Sequence, residues 1–174
     1  MSTAMRSTTT WAKPLRRGAA FVTLFSLVLV SPPVLGTVQD GVLPGRELRS
    51  LDALDPSFRP RATAVIEALS AQGWPVWIAG TRRDERRQAV YKQLGFSKTR
   101  VSKHLRGQAM DVHLALPWVL LPLHAQFYTA LRDAAERQGL CSGARWLDTN
   151  KAPIWALWGL GWDPGHVESC SAGR

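Results

Sequence analysis

The chain has 174 residues, 45% of them hydrophobic and 20% charged, which excludes a disordered or fibrous polymer and leaves one globular domain plus its ends. Its formal charge of +9 is unevenly placed: Arg6, Lys13, Arg16 and Arg17 precede residue 37 in a stretch without an acid, and the remainder holds 18 basic against 13 acidic residues. That moderate excess, with no run of five like charges, suits any polyanionic partner and gives no sign of specific nucleic-acid recognition.

Residues 1–36 have the order of an export signal. Basic residues reach Arg17, an uncharged apolar run covers 18–30, and Ser31-Pro32-Pro33 breaks the run before the small Gly36, where cleavage is expected. A run of about thirteen residues falls short of the roughly 20 that cross a bilayer. An uncleaved N-terminal anchor is the rival reading, and the surroundings of Arg16-Arg17 fit a twin-arginine address poorly. The protein is expected to be exported, periplasmic or extracellular, and to meet a membrane only through this leader. In that oxidising setting its two cysteines, Cys141 and Cys170, read first as a disulfide, with two buried thiols as the alternative.

Residues 37–54 carry Gly and Pro without a clear period and read as an arm leading into a domain over 55–174. Asp55-Pro56 offers a helix start, an N-cap acid followed by proline, after which Phe58, Ala62, Val65, Ile66 and Leu69 share one face and Gly73 ends the helix. Residues 75–79, Pro-Val-Trp-Ile-Ala, read as a buried strand. Gly80 to Glu85 turns into a second helix ending at Gly95, with Thr81 and Asp84 as candidate caps and Arg82 at the strand-to-helix corner.

After a polar loop over 95–103 comes His104. Gly107 supplies a turn, and the residues beyond it alternate: Met110, Val112 and Leu114 toward a core, Ala109, Asp111 and His113 toward the other face. His104 and Asp111 are seven apart, an odd separation, so the turn at Gly107 must reset the parity for both to reach one point. A third helix over 122–138 buries Leu123, Phe127, Leu131 and Ala134 and stops at Gly139; His124 beside that stripe reads as structural. Trp146, Trp155, Trp158 and Trp162 follow, either core packing or the wall of a substrate groove, with Trp158 and Trp162 favoured for the groove because they adjoin Asp163. Asp163-Pro164-Gly165-His166 has the residues of a type II turn, and His166, Glu168 and Cys170 would share a face of a final strand with Val167 inward.

Two imidazoles and two carboxylates can therefore gather at one place, and a catalytic zinc site typically takes three protein ligands plus water. Ser102, His104, Gly107, Ala109 and Asp111 together would recur by chance at about one start position in a million. The pattern Ser-x-His-x-x-Gly-x-Ala-x-Asp, answered by Asp163-x-x-His166, resembles the zinc peptidases of bacterial cell walls. These include D-alanyl-D-alanine carboxypeptidases, dipeptidases, and the L-alanyl-D-glutamate endopeptidases of phage endolysins. The resemblance runs over roughly residues 55–170.

It implies that His104, Asp111 and His166 bind Zn2+ and that Asp163 is the catalytic base. Gly80-Thr81-Arg82 with Gln88 matches a further family element, which makes Arg82 a catalytic candidate for stabilising the oxyanion. Aspartate at 163, where the carboxypeptidase and dipeptidase branches usually carry glutamate, favours the endolysin-like branch. The approach from Trp158 to Asp163 is shorter than in the family, so the groove is where this chain departs from it. Ser102 and Glu168 are candidates for orienting the ligands, and His113 for the same role, an accessory ligand, or a polar residue of the site face.

The expected function is hydrolysis of an amide bond in the peptidoglycan stem peptide by a monomeric zinc metallopeptidase, first as an L-alanyl-D-glutamate endopeptidase and second as a D-alanyl-D-alanine carboxypeptidase. A catalytically inactive, zinc-stabilised wall-binding module is the third reading, and an intact Asp163 argues against it. The expected fold is α+β, a small, mainly antiparallel sheet bearing the site and backed by about three helices.

Overall fold

The computed structural model describes residues 31–146 and 157–171. In chain order these form α1 (Pro32–Val42), β1 (Glu47–Leu48), α2 (Arg59–Ala71), β2 (Val76–Gly80), β3 (Arg82–Arg83), α3 (Glu85–Gln93), β4 (Ala109–Leu114), α4 (Leu121–Arg137), β5 (Leu140–Ser142) and β6 (His166–Ser169). Short 3-10 turns lie at Leu51–Ala53, Lys103–Arg106 and Gly143–Arg145. The main sheet has the order β2-β4-β6-β5 with every neighbouring pair antiparallel, and β1 pairs with β3 beside it. The architecture is the expected α+β, with four α-helices among the described residues rather than three.

The helical faces read from the sequence are the ones that sink. Asp55 does not itself start α2: its carboxylate accepts the Ser57 amide at 2.9 Å and its carbonyl accepts the amides of Phe58 and Arg59, so the regular helix begins at Arg59 with Pro60 in its first turn. Phe58, Ala62, Val65 and Leu69 are fully buried and meet Phe127, Leu131 and Ala134 of α4. Met110, Val112 and Leu114 of β4 complete that core, and burying each such side chain stabilises the fold by roughly 1.5–3 kcal/mol. Because a strand alternates, the same packing turns Asp111 and His113 to the opposite face.

Two expectations need correction. The apolar stretch at 75–79 lies largely in β2, which is an edge strand with half-buried residues rather than a buried one. Its Trp77 is covered by α1, where Gly36 approaches so closely that a Cβ would run into the indole. Residues 37–54, read as an arm, carry the end of α1, then β1 and a 3-10 turn, and are tied down at long range. The buried Arg87 guanidinium donates to the carbonyls of Leu43 (2.9 Å), Pro44 (3.0 Å) and Gly45 (3.0 Å), satisfying acceptors just past the C-terminal end of α1. At the other end of the chain Cys141 and Cys170 form a disulfide that joins β5 to the residue after β6. Among the described residues no helix is long and apolar enough to cross a membrane.

Candidate metal centre

His104 sits on the 3-10 turn Lys103–Arg106, whose first amides are capped by Ser102: its hydroxyl accepts the His104 amide at 3.3 Å. Gly107 then takes a left-handed conformation, φ 68°, where a Cβ would lie 2.9 Å from the Ala53 carbonyl oxygen and the Asp55 amide nitrogen. This reversal resets the parity between His104 and Asp111, as the odd spacing requires. In the β4–β6 register Asp111 lies opposite His166.

The three side chains converge. His104 Nε2 is 3.2 Å from Asp111 Oδ2 and 3.3 Å from His166 Nδ1, and His166 Nδ1 is 2.9 Å from Asp111 Oδ1. Ligand atoms about 2.0–2.1 Å from one tetrahedral zinc ion stand about 3.3 Å apart, and these separations, which involve both Asp111 oxygens, are close to that, so the cluster has the size of such a site. Each ring is also turned for the purpose. His104 Nδ1 faces the Thr81 carbonyl at 3.1 Å, which can only accept, so Nδ1 holds the proton and Nε2 offers its lone pair to the cluster. His166 Nε2 lies 3.3 Å from Glu168 Oε2, and Glu168 is in turn held by Lys103 Nζ at 3.2 Å. Carboxylate and carbonyl partners of this kind orient metal-binding imidazoles.

The charges point the same way. Burial disfavours the His166 imidazolium, yet hydrogen bonds to Asp111 and Glu168 outweigh it and push its pKa up to about 10. Burial likewise opposes a charged Asp111, but the two imidazoles hold its carboxyl well below the usual carboxylate range. A cation held by these residues would take the place of that proton. His104, Asp111 and His166 thus fit a divalent ion by donor type, separation and orientation.

The arginine at the site is not the expected one. Arg82 pairs with Leu48 and is exposed, while Arg83 pairs with Glu47, is buried, and donates from Nη2 to Asp111 Oδ2 at 3.1 Å. Two-residue alternation on β3, following a register shift between Ile78 and Gly80, decides which arginine faces in. Gln88 belongs to the same cluster: its Oε1 accepts from Arg83 Nη1 at 2.9 Å, and its Nε2 donates to Ser97 Oγ and the Thr99 carbonyl, anchoring the loop before the motif. Glu47 had no signal in the sequence beyond being an isolated acid in a stretch without period.

The triangle opens into a cavity of about 700 Å³ whose lining includes Asp163, His113, Lys98, Trp146 and Trp162. The His166 amide donates to the Asp163 carbonyl at 3.1 Å, which closes the expected turn, but Gly165 has no positive φ and the turn is not type II. Glycine is needed there for space: a Cβ would lie 2.6 Å from His113 Cε1 and 2.8 Å from the Val112 carbonyl oxygen. Burial pushes the Asp163 carboxyl up to about 6. His113 stands outside the triangle, with Nδ1 2.8 Å from the Tyr128 hydroxyl, and burial lowers its pKa to about 4, so it lines the site as a neutral ring.

Of the tryptophans, Trp162 lines the cavity as expected and Trp158 does not; it is 39% exposed. Trp146 takes the second place, its ring 5.7 Å from that of Trp162 and 5.0 Å from that of His166. Backbone pairing of Gly161 with Ala144 and of Trp162 with Trp146 sets the two indoles side by side. Trp155 lies outside the described residues.

No protein-family model matches the chain, and no curated protein matches it. Among solved structures it is similar to the L-Ala D-Glu endopeptidase ChiX of Serratia marcescens, with a TM-score of 0.50 and 23% identity over 76% of this chain and 95% of that one. The LD-carboxypeptidase LdcB matches with a TM-score of 0.48 and 14% identity over 75% and 65% of the two chains. The vancomycin-resistance D,D-pentapeptidase VanY, in complex with Zn(II), matches with a TM-score of 0.45 and 19% identity over 74% and 79%. The likeness to ChiX is one of fold.

Proposed function

We propose that this chain is a zinc peptidase that hydrolyses an amide bond of the peptidoglycan stem peptide, and that the bond is L-alanyl-D-glutamate. The observation that carries the reading is the triangle of His104, Asp111 and His166 donor atoms, 2.9–3.3 Å apart, opening into the cavity that Asp163 also lines. The aspartate at 163, where the carboxypeptidase and dipeptidase branches of the resembled family usually carry glutamate, is what favours the endopeptidase over the carboxypeptidase. The cavity falls within the range of about 300–1,000 Å³ common for small-molecule sites, and its paired indoles offer flat apolar walls to a peptide.

Zinc held by His104 Nε2, Asp111 and His166 Nδ1 would supply Lewis acidity, polarising the scissile carbonyl and lowering the pKa of a water to about 7. Asp163 handles the proton. With its carboxyl raised to about 6, it is ionised near neutrality, accepts a proton from the attacking water, and is acidic enough to pass that proton to the leaving amine. Thr81 and Glu168 fix the tautomers of the two rings, and Arg83 and Lys103 hold Asp111 and Glu168 in place. Such a substrate lies outside the cytoplasm, in keeping with the leader-like residues 1–36.

Mass spectrometry of purified muropeptides after incubation with the zinc-loaded protein tests the reading. Cleavage after L-alanine is the expected product pattern. Release of terminal D-alanine would establish the carboxypeptidase instead, and unchanged muropeptides would refute hydrolysis of the stem peptide.

A further inference from the structure

Arg83 is placed where a cation is least welcome. Its Nη2 lies 3.1 Å from a carboxylate oxygen that is also part of the metal triangle, so the guanidinium competes with an ion for Asp111 and adds positive charge beside it. What restrains Arg83 is Glu47, from β1, outside every motif of the site. Glu47 Oε1 accepts from Arg83 Nε at 2.8 Å and from Nη2 at 2.5 Å, and Oε2 accepts the Tyr91 hydroxyl at 2.7 Å. The Tyr91 ring also lies 4.2 Å from the guanidinium carbon.

The arrangement is closed and specific. Glu47 and Arg83 are 8% and 6% exposed, and the β1–β3 register sets them directly opposite one another. Gly80 leaves the carboxylate its room, since a Cβ there would run into Glu47 Oε1. A buried ion pair is a poor source of net stability, because desolvation offsets most of the attraction. Its position, one hydrogen bond from a metal-ligand carboxylate, gives it a different use.

We propose that Glu47 is a positioning residue for the metal centre: it draws the Arg83 guanidinium back and balances its charge, so that Arg83 steadies Asp111 without displacing the ion. The inference rests on the metal-centre reading above. It also makes β1 part of the working site.

The test uses the full chain and three measurements: zinc affinity by competition with a chromogenic chelator, the unfolding temperature of the metal-free protein, and kcat and KM on muropeptides. Loss of a partner that orients a metal ligand typically costs about 10- to 100-fold in metal affinity. Glu47→Gln is expected to weaken zinc binding by that factor and to lower kcat with KM held. Because it also leaves Arg83 buried without its main counter-ion, the metal-free protein melts lower than wild type, and zinc affinity measured on the folded fraction is the deciding readout. Gly80→Ala changes no charge but displaces the Glu47 carboxylate, and is expected to weaken zinc binding in the same direction. Should Glu47→Gln fail to fold, Tyr91→Phe, which removes only the hydroxyl that holds Oε2, decides with an expected loss of several-fold. Zinc affinity unchanged in the folded variants, or a lower melting temperature with affinity unchanged, would overturn the inference. A wild-type chain without a tight zinc site would instead overturn the metal-centre reading, and this inference with it.

Discussion

Arg82 and Arg83 are adjacent in sequence and opposite in circumstance. The Gly-x-Arg spacing points to Arg82, yet pairing with Leu48 leaves it in solvent, and pairing with Glu47 sends Arg83 inside. Arg82→Ala is therefore expected to keep zinc binding and turnover within about twofold of wild type, as surface changes usually do. Arg83→Ala would leave Glu47 buried without its cation, a loss on the order of 3–5 kcal/mol that thermal melts would register. A second contrast separates holding the ion from using it. Asp163→Ala should retain zinc, by metal analysis of the dialysed protein, while losing about 100-fold or more in turnover; His104→Ala should lose both. Full activity in Asp163→Ala would refute the assignment of the base.

Among the elements, helix α3 shows how a cap read from sequence becomes measurable. Of the two candidates, Asp84 is the cap: its carboxylate accepts the Arg87 amide at 2.7 Å and the Arg46 amide at 2.7 Å, whereas the Thr81 hydroxyl donates to the Leu48 carbonyl. The backbone bond from Arg87 leads in holding the Asp84 carboxyl below the usual range. A depressed folded pKa means that the contribution is complete above the unfolded value of about 3.9 and is lost as pH falls through the folded one. Asp84→Ala should cost about 1 kcal/mol at pH 7, and its gap in melting temperature from wild type should close on acidification toward pH 2.5. A gap that is constant with pH would show that the carboxylate is not the capping group.

The elements also show what a linear reading can hold. Periodicity named the buried faces of α2 and α4 because Phe58, Val65, Phe127 and Leu131 each need only their own helix to be recognised. The 102–111 motif was legible for a similar reason, since Ser102, Gly107 and the alternation of β4 are local requirements. At Gly165 the Pro-Gly pair signals a backbone angle, whereas the constraint is the ring of His113 pressed against it from a different strand. Glu47, Trp146 and the edge position of β2 depend on partners dozens of residues away, and no local pattern carries them.

At the scale of the whole molecule the same limit applies to α1, which unites an expected cleavage point with a folded interior. Gly36 is buried within an 11-residue helix, its carbonyl accepts from Arg49 Nη2 at 3.3 Å, and it packs on Trp77; Pro32 is buried with it. A chain begun at residue 37 would keep six residues of that helix, too few to form one unaided. It would uncover Trp77 and loosen the carbonyls that Arg87 binds. Relative to a chain begun at residue 31, it is expected to lose roughly 1–2 kcal/mol, or about 2–8 °C in melting temperature for a chain of this size. The prediction extends to export. Were the leader-like segment removed, cleavage that preserves the fold would leave Pro32 in the processed chain, whose intact mass would then include residues 32–36. A mature chain beginning at Thr37 that melts at the temperature of the longer form would show that α1 contributes nothing to the fold.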